Sequence, residues 1–232
     1  MSDNLFNWRN QEACIISKAQ EEDLMFAMCF AAKTCIGKQW TLKSKEDMFN
    51  YLLTIVKRHH YSILEHATVT VRLVTSRAIA NQIVRHRIAA YAQESMRYVR
   101  FFEAKDSCPQ DKLLEMIPPY NYDTWTDDSK HTLESSINSS CKAYLDLTSK
   151  HSIKAEDARN ILPLMTKTVL IATWSIRELF HILFDDANGR LINKHAQPQT
   201  KMLFNLLFDN IKENYPYIGK LAYAYYNEEA TK

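Results

Sequence analysis

Three glycines in 232 residues set the tightest limit on what this chain can fold into. Glycine turns a backbone left-handed without steric cost and lets a phosphate approach the main chain closely. A dinucleotide fold built on a glycine-rich turn is therefore disfavoured, and neither G-x-G-x-x-G nor G-x-x-x-x-G-K-[ST] occurs. A bound flavin or nucleotide would have to be held by side chains and helix ends. The net charge of +2 points away from a nucleic-acid partner and makes any functional basicity local. The cysteines Cys14, Cys29, Cys35, Cys108 and Cys141 contain no C-x-x-C pair, so they support neither a zinc site nor a disulfide framework. No secretory pattern opens the chain, and no apolar run approaches the roughly 20 residues of a membrane span. A soluble, cytoplasmic protein is expected, with no membrane partner and no metal.

Hydrophobic periodicity predicts an α+β domain. Leu24, Ala27, Met28 and Ala31 share one face of a helix over Glu21 to Cys35. Ser44 is a cap for a second helix reaching His59, and alternating Val69, Val71 and Leu73 mark a half-buried strand within His66 to Thr75. Arg77 to Arg87 reads as a helix with Ile79, Ile83 and Val84 inward. Residues 103–123, with Pro109, Pro118 and Pro119, read as a loop, and 124–150 as a long amphipathic helix. A helix from Lys154 should stop at Pro163, whose ring excludes continuation. Thr166 to Trp174 is a plausible strand; Ser175 to Phe184 and Gln197 to Asn214 are helical. Residues 1–15 carry no clear period, and no repeat or linker divides the chain.

Three polar clusters stand out. His59-His60-Tyr61-Ser62-Ile63-Leu64-Glu65-His66 gathers three histidines and a glutamate, but the spacing is not that of H-E-x-x-H. Capping of a helix C-terminus is the simpler role. Arg85-His86-Arg87, with Ser95 and Arg97 downstream, could be a solvated basic helix end, or could reach two anionic ligands. In the latter case Ser95 and Arg97 resemble a phosphate clamp, a hydroxyl beside a guanidinium fork. Arg159, Arg177, His181, Arg190 and His195 recur among apolar neighbours, where a cation must be paired or face a ligand. Internal pairing with Glu156, Asp157 or Glu178 is the alternative.

Arg85-His86-Arg87, seven residues, Ser95 and then Arg97 is similar to the signature of flavin-dependent thymidylate synthases. Ala31-Ala32-Lys33-Thr34-Cys35, the His59–His66 segment, Ala158-Arg159-Asn160-Ile161-Leu162-Pro163 and Arg190 through His195-Ala196-Gln197 resemble further family segments in the same order. The resemblance implies one domain over 1–232, with a central, mostly antiparallel sheet flanked by helices, assembled as a homotetramer. It implies reductive methylation of dUMP to dTMP, with methylenetetrahydrofolate as carbon donor and NADPH-reduced FAD as hydride source. Ser62, Arg85, His86, Arg87, Ile88, Gln93, Arg177, His181 and His195 would meet the flavin. Gln82, Glu94, Ser95, Met96, Arg97 and Arg159 would hold dUMP. Arg190, facing the uracil ring, and His60, beside flavin and folate, would be catalytic.

A covalent cysteine mechanism is disfavoured because no cysteine is directly followed by histidine, and Ser95 is a poor nucleophile because no obvious base stands beside it. Two rivals remain: a non-catalytic nucleotide- or flavin-binding homologue, marked by Ala90, Ala92 and Gln93, and a flavin-dependent pyrimidine hydroxymethylase.

Overall fold

The computed structural model describes residues 5–39, 41, 44–97, 113–185, 189–191 and 193–229. Cys108, Pro109 and most of the loop expected over 103–123 lie outside them. In chain order the elements are β1 (Phe6–Trp8), β2 (Glu12–Ile15), α1 (Glu21–Cys35), α2 (Lys45–Lys57), β3 (Thr68–Ser76), α3 (Arg77–Ile83) and β4 (Ala89–Gln93). Then come β5 (Leu114–Met116), α4 (Asp127–Leu145), α5 (Ala155–Ala158), β6 (Lys167–Ser175), α6 (Ile176–Phe184), α7 (Pro198–Asn214) and α8 (Pro216–Glu229). Short 3-10 turns lie at Tyr61–His66 and Arg159–Ile161. The main sheet is mostly antiparallel, in the order β2-β3-β6-β4. The expected α+β class is therefore met. Among the described residues no helix is long and apolar enough to cross a membrane.

The chain divides into two compact units, and β3, β4 and β6 each contribute residues to both. The first unit comprises Met1–Gln11, Val74–Ile83 and Gln93–Leu170. In it β1 pairs in parallel with β5, Phe6 opposite Leu114 and Trp8 opposite Met116. Phe6, Leu114, Met116, Ile137 and Cys141 form its core, with Leu133, Leu162 and Met165 packed against them. Cys141 is thus a small core hydrophobe whose thiol burial pushes up to about 11.

The second unit comprises Glu12–Leu73, Val84–Ala92 and Ile171–Lys232. Met25, Met28, Leu52, Leu64, Leu73, Trp174, Phe180 and Phe204 are fully buried there. Ser44 caps α2 by accepting the Asp47 N–H at 3.1 Å, as the sequence suggested, and Ser175 caps α6 through Glu178 N–H at 3.1 Å. Glycine scarcity has a visible consequence: the left-handed positions fall on His59, Asn121 and Ser152 (φ 57°, 56° and 54°) as well as Gly37 (φ 62°).

Several boundaries differ from the expectation. α3 ends at Ile83, so Arg85-His86-Arg87 lies in the turn leading to β4, not on a helix. The long helix over 124–150 loses its α hydrogen bonding at Asp146, where a π turn runs to Lys150. The helix from Lys154 is one turn of α5 passing into a 3-10 turn before Pro163. Strands β1, β2 and β5 have three or four residues each, too few to show a period, and helix α8 was not anticipated from the sequence.

Candidate active site

In the second unit the polar centre is His86, 8% exposed. The end of α3 at Ile83 releases the chain, and the next residues alternate: Arg85 and Arg87 are exposed, with His86 buried between them. Arg190 Nε donates to His86 Nε2 at 3.0 Å. A ring nitrogen that accepts a hydrogen bond is unprotonated, so the neutral imidazole carries its proton on Nδ1. Burial, then the charge of Arg190, then His181 hold the His86 pKa down at about 4, against a smaller opposing pull from Asp185. The Glu178 carboxylate, 3.7 Å from Nδ1, therefore faces a neutral ring, and the contact is not an ion pair at neutral pH. Burial raises the Glu178 pKa and lowers that of Arg190.

The His86 main chain is held as well. Tyr91 Oη donates to its carbonyl at 2.8 Å, and Trp174 Nε1–H donates to Tyr91 Oη at 3.1 Å. Trp174 is fully buried, so this hydroxyl satisfies an indole donor that would otherwise be stranded. Arg190 is positioned by its own backbone. Gly189 N–H donates to Asp185 O at 2.7 Å, Arg190 N–H to Ile182 O at 2.5 Å and Leu191 N–H to Leu183 O at 3.2 Å. These bonds occupy the carbonyls left open at the end of α6 and put a cation at its negative pole. A Cβ at Gly189 would collide with the Asp185 backbone, so only glycine fits this approach. His181 Nδ1 lies 3.4 Å from Asp185 Oδ2, and its ring meets His86 edge-on at 6.3 Å between centroids.

The remaining second-unit candidates are more exposed. His60 and Ser62 lie on the turn Tyr61–His66 and its lead-in, a segment that packs on α6. Arg177, on α6, is ion-paired to Glu65 of that turn. His195 is exposed and donates its backbone N–H to Asn193 Oδ1 at 2.7 Å. Ile88 is 73% exposed directly after Arg87, an apolar surface next to two guanidiniums.

The other candidates belong to the first unit. Glu94 ends the strand region and is held at its N–H, its carbonyl and one carboxylate oxygen. Its N–H donates to Val169 O at 2.9 Å, its Oε2 accepts Val169 N–H at 3.1 Å and lies 3.3 Å from Lys167 Nζ, and its carbonyl accepts from Arg77 Nη2 at 2.6 Å. Ser95 Oγ accepts the Arg97 N–H at 3.2 Å, closing a tight turn. The Met96 side chain is buried, 6% exposed. Arg97, half exposed, is paired with Glu156 at 3.1 Å. Arg159 Nε donates to the Glu156 carbonyl at 3.1 Å, so both arginines are gathered at one residue. Gln82 is on α3. Gln93, expected to meet flavin, falls in this unit with the nucleotide set and donates to Thr168 Oγ1 at 3.4 Å.

The family model described as thymidylate synthase complementing protein, Thy1, matches residues 16–217. The chain belongs to the Thy1 family. Flavin-dependent thymidylate synthase of Geobacter sulfurreducens is 35% identical over 161 residues, covering 67% of this chain and 65% of the relative. That of Pyrococcus furiosus is 35% identical over 169 residues (66% and 62%), and that of Thermococcus onnurineus 34% over 142 residues (60% and 54%). The matched part of this chain thus spans between 54% and 65% of these curated relatives. Among solved structures, the UMP/dUMP methylase PolB from Streptomyces cacaoi, bound with 5-Br dUMP, aligns with a TM-score of 0.70 at 19% identity, covering 94% of this chain and 97% of PolB. That likeness shows a shared fold.

The Thy1 signature points to residues 85–97 but not to what holds them. Trp174, Lys167 and Arg77 were not singled out in the sequence, since an aromatic or a basic residue at an element end ordinarily reads as core or surface; Glu178 was read only as an internal pairing partner. Among the described residues no group of three His, Cys, Asp or Glu side chains is placed to hold a metal ion.

Proposed function

We propose that this protein is a flavin-dependent thymidylate synthase that converts dUMP to dTMP. Family membership over residues 16–217 supports the reading, and one observation carries it: the guanidinium of Arg190 is held by a neutral histidine inside the signature tripeptide. The neutral acceptor at Nε fixes the direction of this guanidinium without itself carrying an opposing charge. In this reading the second-unit residues take FAD. Arg85 and Arg87 offer exposed guanidiniums suited to its phosphates, Ile88 an apolar surface suited to its ring system, and Ser62, His181, Arg177 and His195 polar contacts. The donor set fits such a dianionic, planar group. When bound and reduced by NADPH, FAD supplies the hydride that completes the methyl group taken from methylenetetrahydrofolate.

This chain's residues bind, orient and stabilise charge. Ser95 Oγ and Arg97 receive the dUMP phosphate, with Arg159 adding a second guanidinium; Gln82 and Glu94 complete the nucleotide set. Arg190 faces the pyrimidine and stabilises negative charge that develops on it. His60 lines the flavin and folate side. Assembly as a homotetramer is part of this reading, and the exposed, stacked Phe26 and Phe30 on α1 (46% and 53% exposed) offer an apolar surface for association. A cytoplasmic location accords with this chemistry.

The test is oxidation of NADPH in the presence of dUMP and methylenetetrahydrofolate, followed by mass analysis of the nucleotide. dTMP is expected. A hydroxymethylated nucleotide would make the protein a pyrimidine hydroxymethylase, and a colourless protein that cannot be reconstituted with FAD would make it a non-catalytic homologue.

A further inference from the structure

Arg77 lies outside every motif that marks the family resemblance, yet it is built into the first unit's nucleotide set. It opens α3, and its own N–H donates to Thr166 O at 3.0 Å. Its Nη2 donates to the Glu94 carbonyl at 2.6 Å. Its Nε–H is buried from solvent and has no acceptor among the described residues. Buried donors in folded proteins almost always find a partner, so this orphaned Nε–H asks for an acceptor from outside the chain.

The electrostatic setting says what kind. Glu94 lies close enough to favour the charge of Arg77, but its carboxylate is already engaged by Lys167 and the Val169 N–H. Lys167 is also paired with Glu115 at 3.2 Å, and Arg97 with Glu156. Arg77 and Arg159 are the guanidiniums of this group with no ion pair among the described residues, and Arg159 is near enough to disfavour the charge on Arg77. Two unpaired, mutually repelling guanidiniums are relieved by an anion that both can reach, and a guanidinium fork matches the oxygens of a phosphate. A second effect follows from planarity. The Glu94 carbonyl and the Ser95 N–H belong to one trans peptide, so anchoring the first sets the direction of the second.

We propose that Arg77 is a further substrate-binding residue of the first unit: its buried Nε–H donates to a phosphate oxygen of the nucleoside monophosphate, while Nη2 holds the Glu94–Ser95 peptide in the orientation that presents Ser95. This rests on the reading of that site as the dUMP phosphate site.

The test is calorimetric titration of the flavin-loaded full chain with dUMP, with deoxyuridine, which lacks the phosphate, and with inorganic phosphate. Wild type, Arg77→Met and Arg77→Lys are compared. The dUMP affinity should fall about ten- to hundredfold in Arg77→Met and less in Arg77→Lys, as expected for loss of a charge-assisted hydrogen bond. Deoxyuridine affinity should stay within about twofold, since it makes no phosphate contact. Equal weakening of dUMP and deoxyuridine, or unchanged dUMP affinity, overturns the proposal. Flavin retention and melting temperature check folding; if Arg77→Met does not fold, Arg77→Lys decides by the same difference between dUMP and deoxyuridine. If wild type ignores dUMP but binds UMP or dCMP with the same dependence on Arg77, the dUMP reading falls and the inference stands. Binding of neither a nucleoside monophosphate nor inorganic phosphate overturns both.

Discussion

The His86 centre of the second unit and the Glu94 centre of the first are both dense in polar groups, yet different forces organise them. Around His86 desolvation leads: it is the largest influence on the pKa of His86, Glu178 and Arg190, and it leaves the imidazole neutral. Around Glu94 ion pairs gather, with Lys167 between Glu94 and Glu115 and Arg97 on Glu156 at a half-exposed pair, while burial is the largest influence on the pKa of Arg77. The buried neutral histidine orients the Arg190 guanidinium through Nε. An exposed ion pair is loosely held, worth about 0–1 kcal/mol, and an arriving phosphate can displace it. The first arrangement suits a fixed group facing charge that appears during reaction, and the second suits a site that must capture and release a charged ligand.

The largest effect that would break this contrast is on turnover. Arg190→Ala should lower kcat by about 10²- to 10³-fold with a much smaller change in dUMP affinity, the size found for deleting one charge-stabilising donor. Steady-state kinetics with independently measured dUMP binding would check it, and a fully active variant would remove Arg190 from the chemistry.

Next in size is the pH dependence of stability. His86 is held at about 4 when folded, below its ordinary 6.5, so between those values the unfolded chain binds a proton that the folded chain refuses. The contribution is fully present above pH 6.5 and is lost as pH falls toward 4, by up to about 3 kcal/mol. Glu178, whose pKa is raised by burial, takes up a proton in the folded state over part of the acid range and offsets some of this loss. Denaturant unfolding at pH 7 and pH 4.5 should show a steeper fall for wild type than for His86→Gln; equal slopes would mean that burial does not govern this centre.

Smaller effects should follow on the charged side. Ser95→Ala and Arg97→Ala should each weaken dUMP about tenfold, and wild-type dUMP affinity should decline with added salt, as contacts between exposed charges do. Unchanged affinity in both variants would sink the phosphate-clamp assignment. Of similar size is Tyr91→Phe, which strands the Trp174 indole N–H and the His86 carbonyl and should cost about 1–2 kcal/mol of stability by thermal unfolding. No loss would show that water replaces the hydroxyl.

Much of the fold was legible because long elements repeat their pattern. α1 runs over the span that Leu24, Ala27, Met28 and Ala31 indicated, and Ser44 caps α2 as its position suggested. Short strands were not legible: β1 and β5 draw their stability from pairing between residues more than a hundred positions apart, which no local window contains. The same division holds for the candidate site. Arg85–Arg87 and Ser95–Arg97 are a contiguous motif and could be read directly. Arg77 reaches Glu94, Lys167 reaches it from β6, and Tyr91 reaches Trp174, contacts that exist only after the sheet has formed. The helix expected to carry Arg85 to Arg87 failed for a related reason: residues with ordinary helix propensity are drawn into a turn by the start of β4 at Ala89 and by the Tyr91 hydrogen bond to His86.

The most direct test of the division of labour is to titrate FAD and dUMP separately into wild type, Arg87→Ala and Arg97→Ala. Arg87→Ala should weaken FAD by about tenfold or more and leave dUMP within about twofold, while Arg97→Ala should do the reverse. Loss of both ligands in both variants, or loss of FAD alone in Arg97→Ala, would contradict the account.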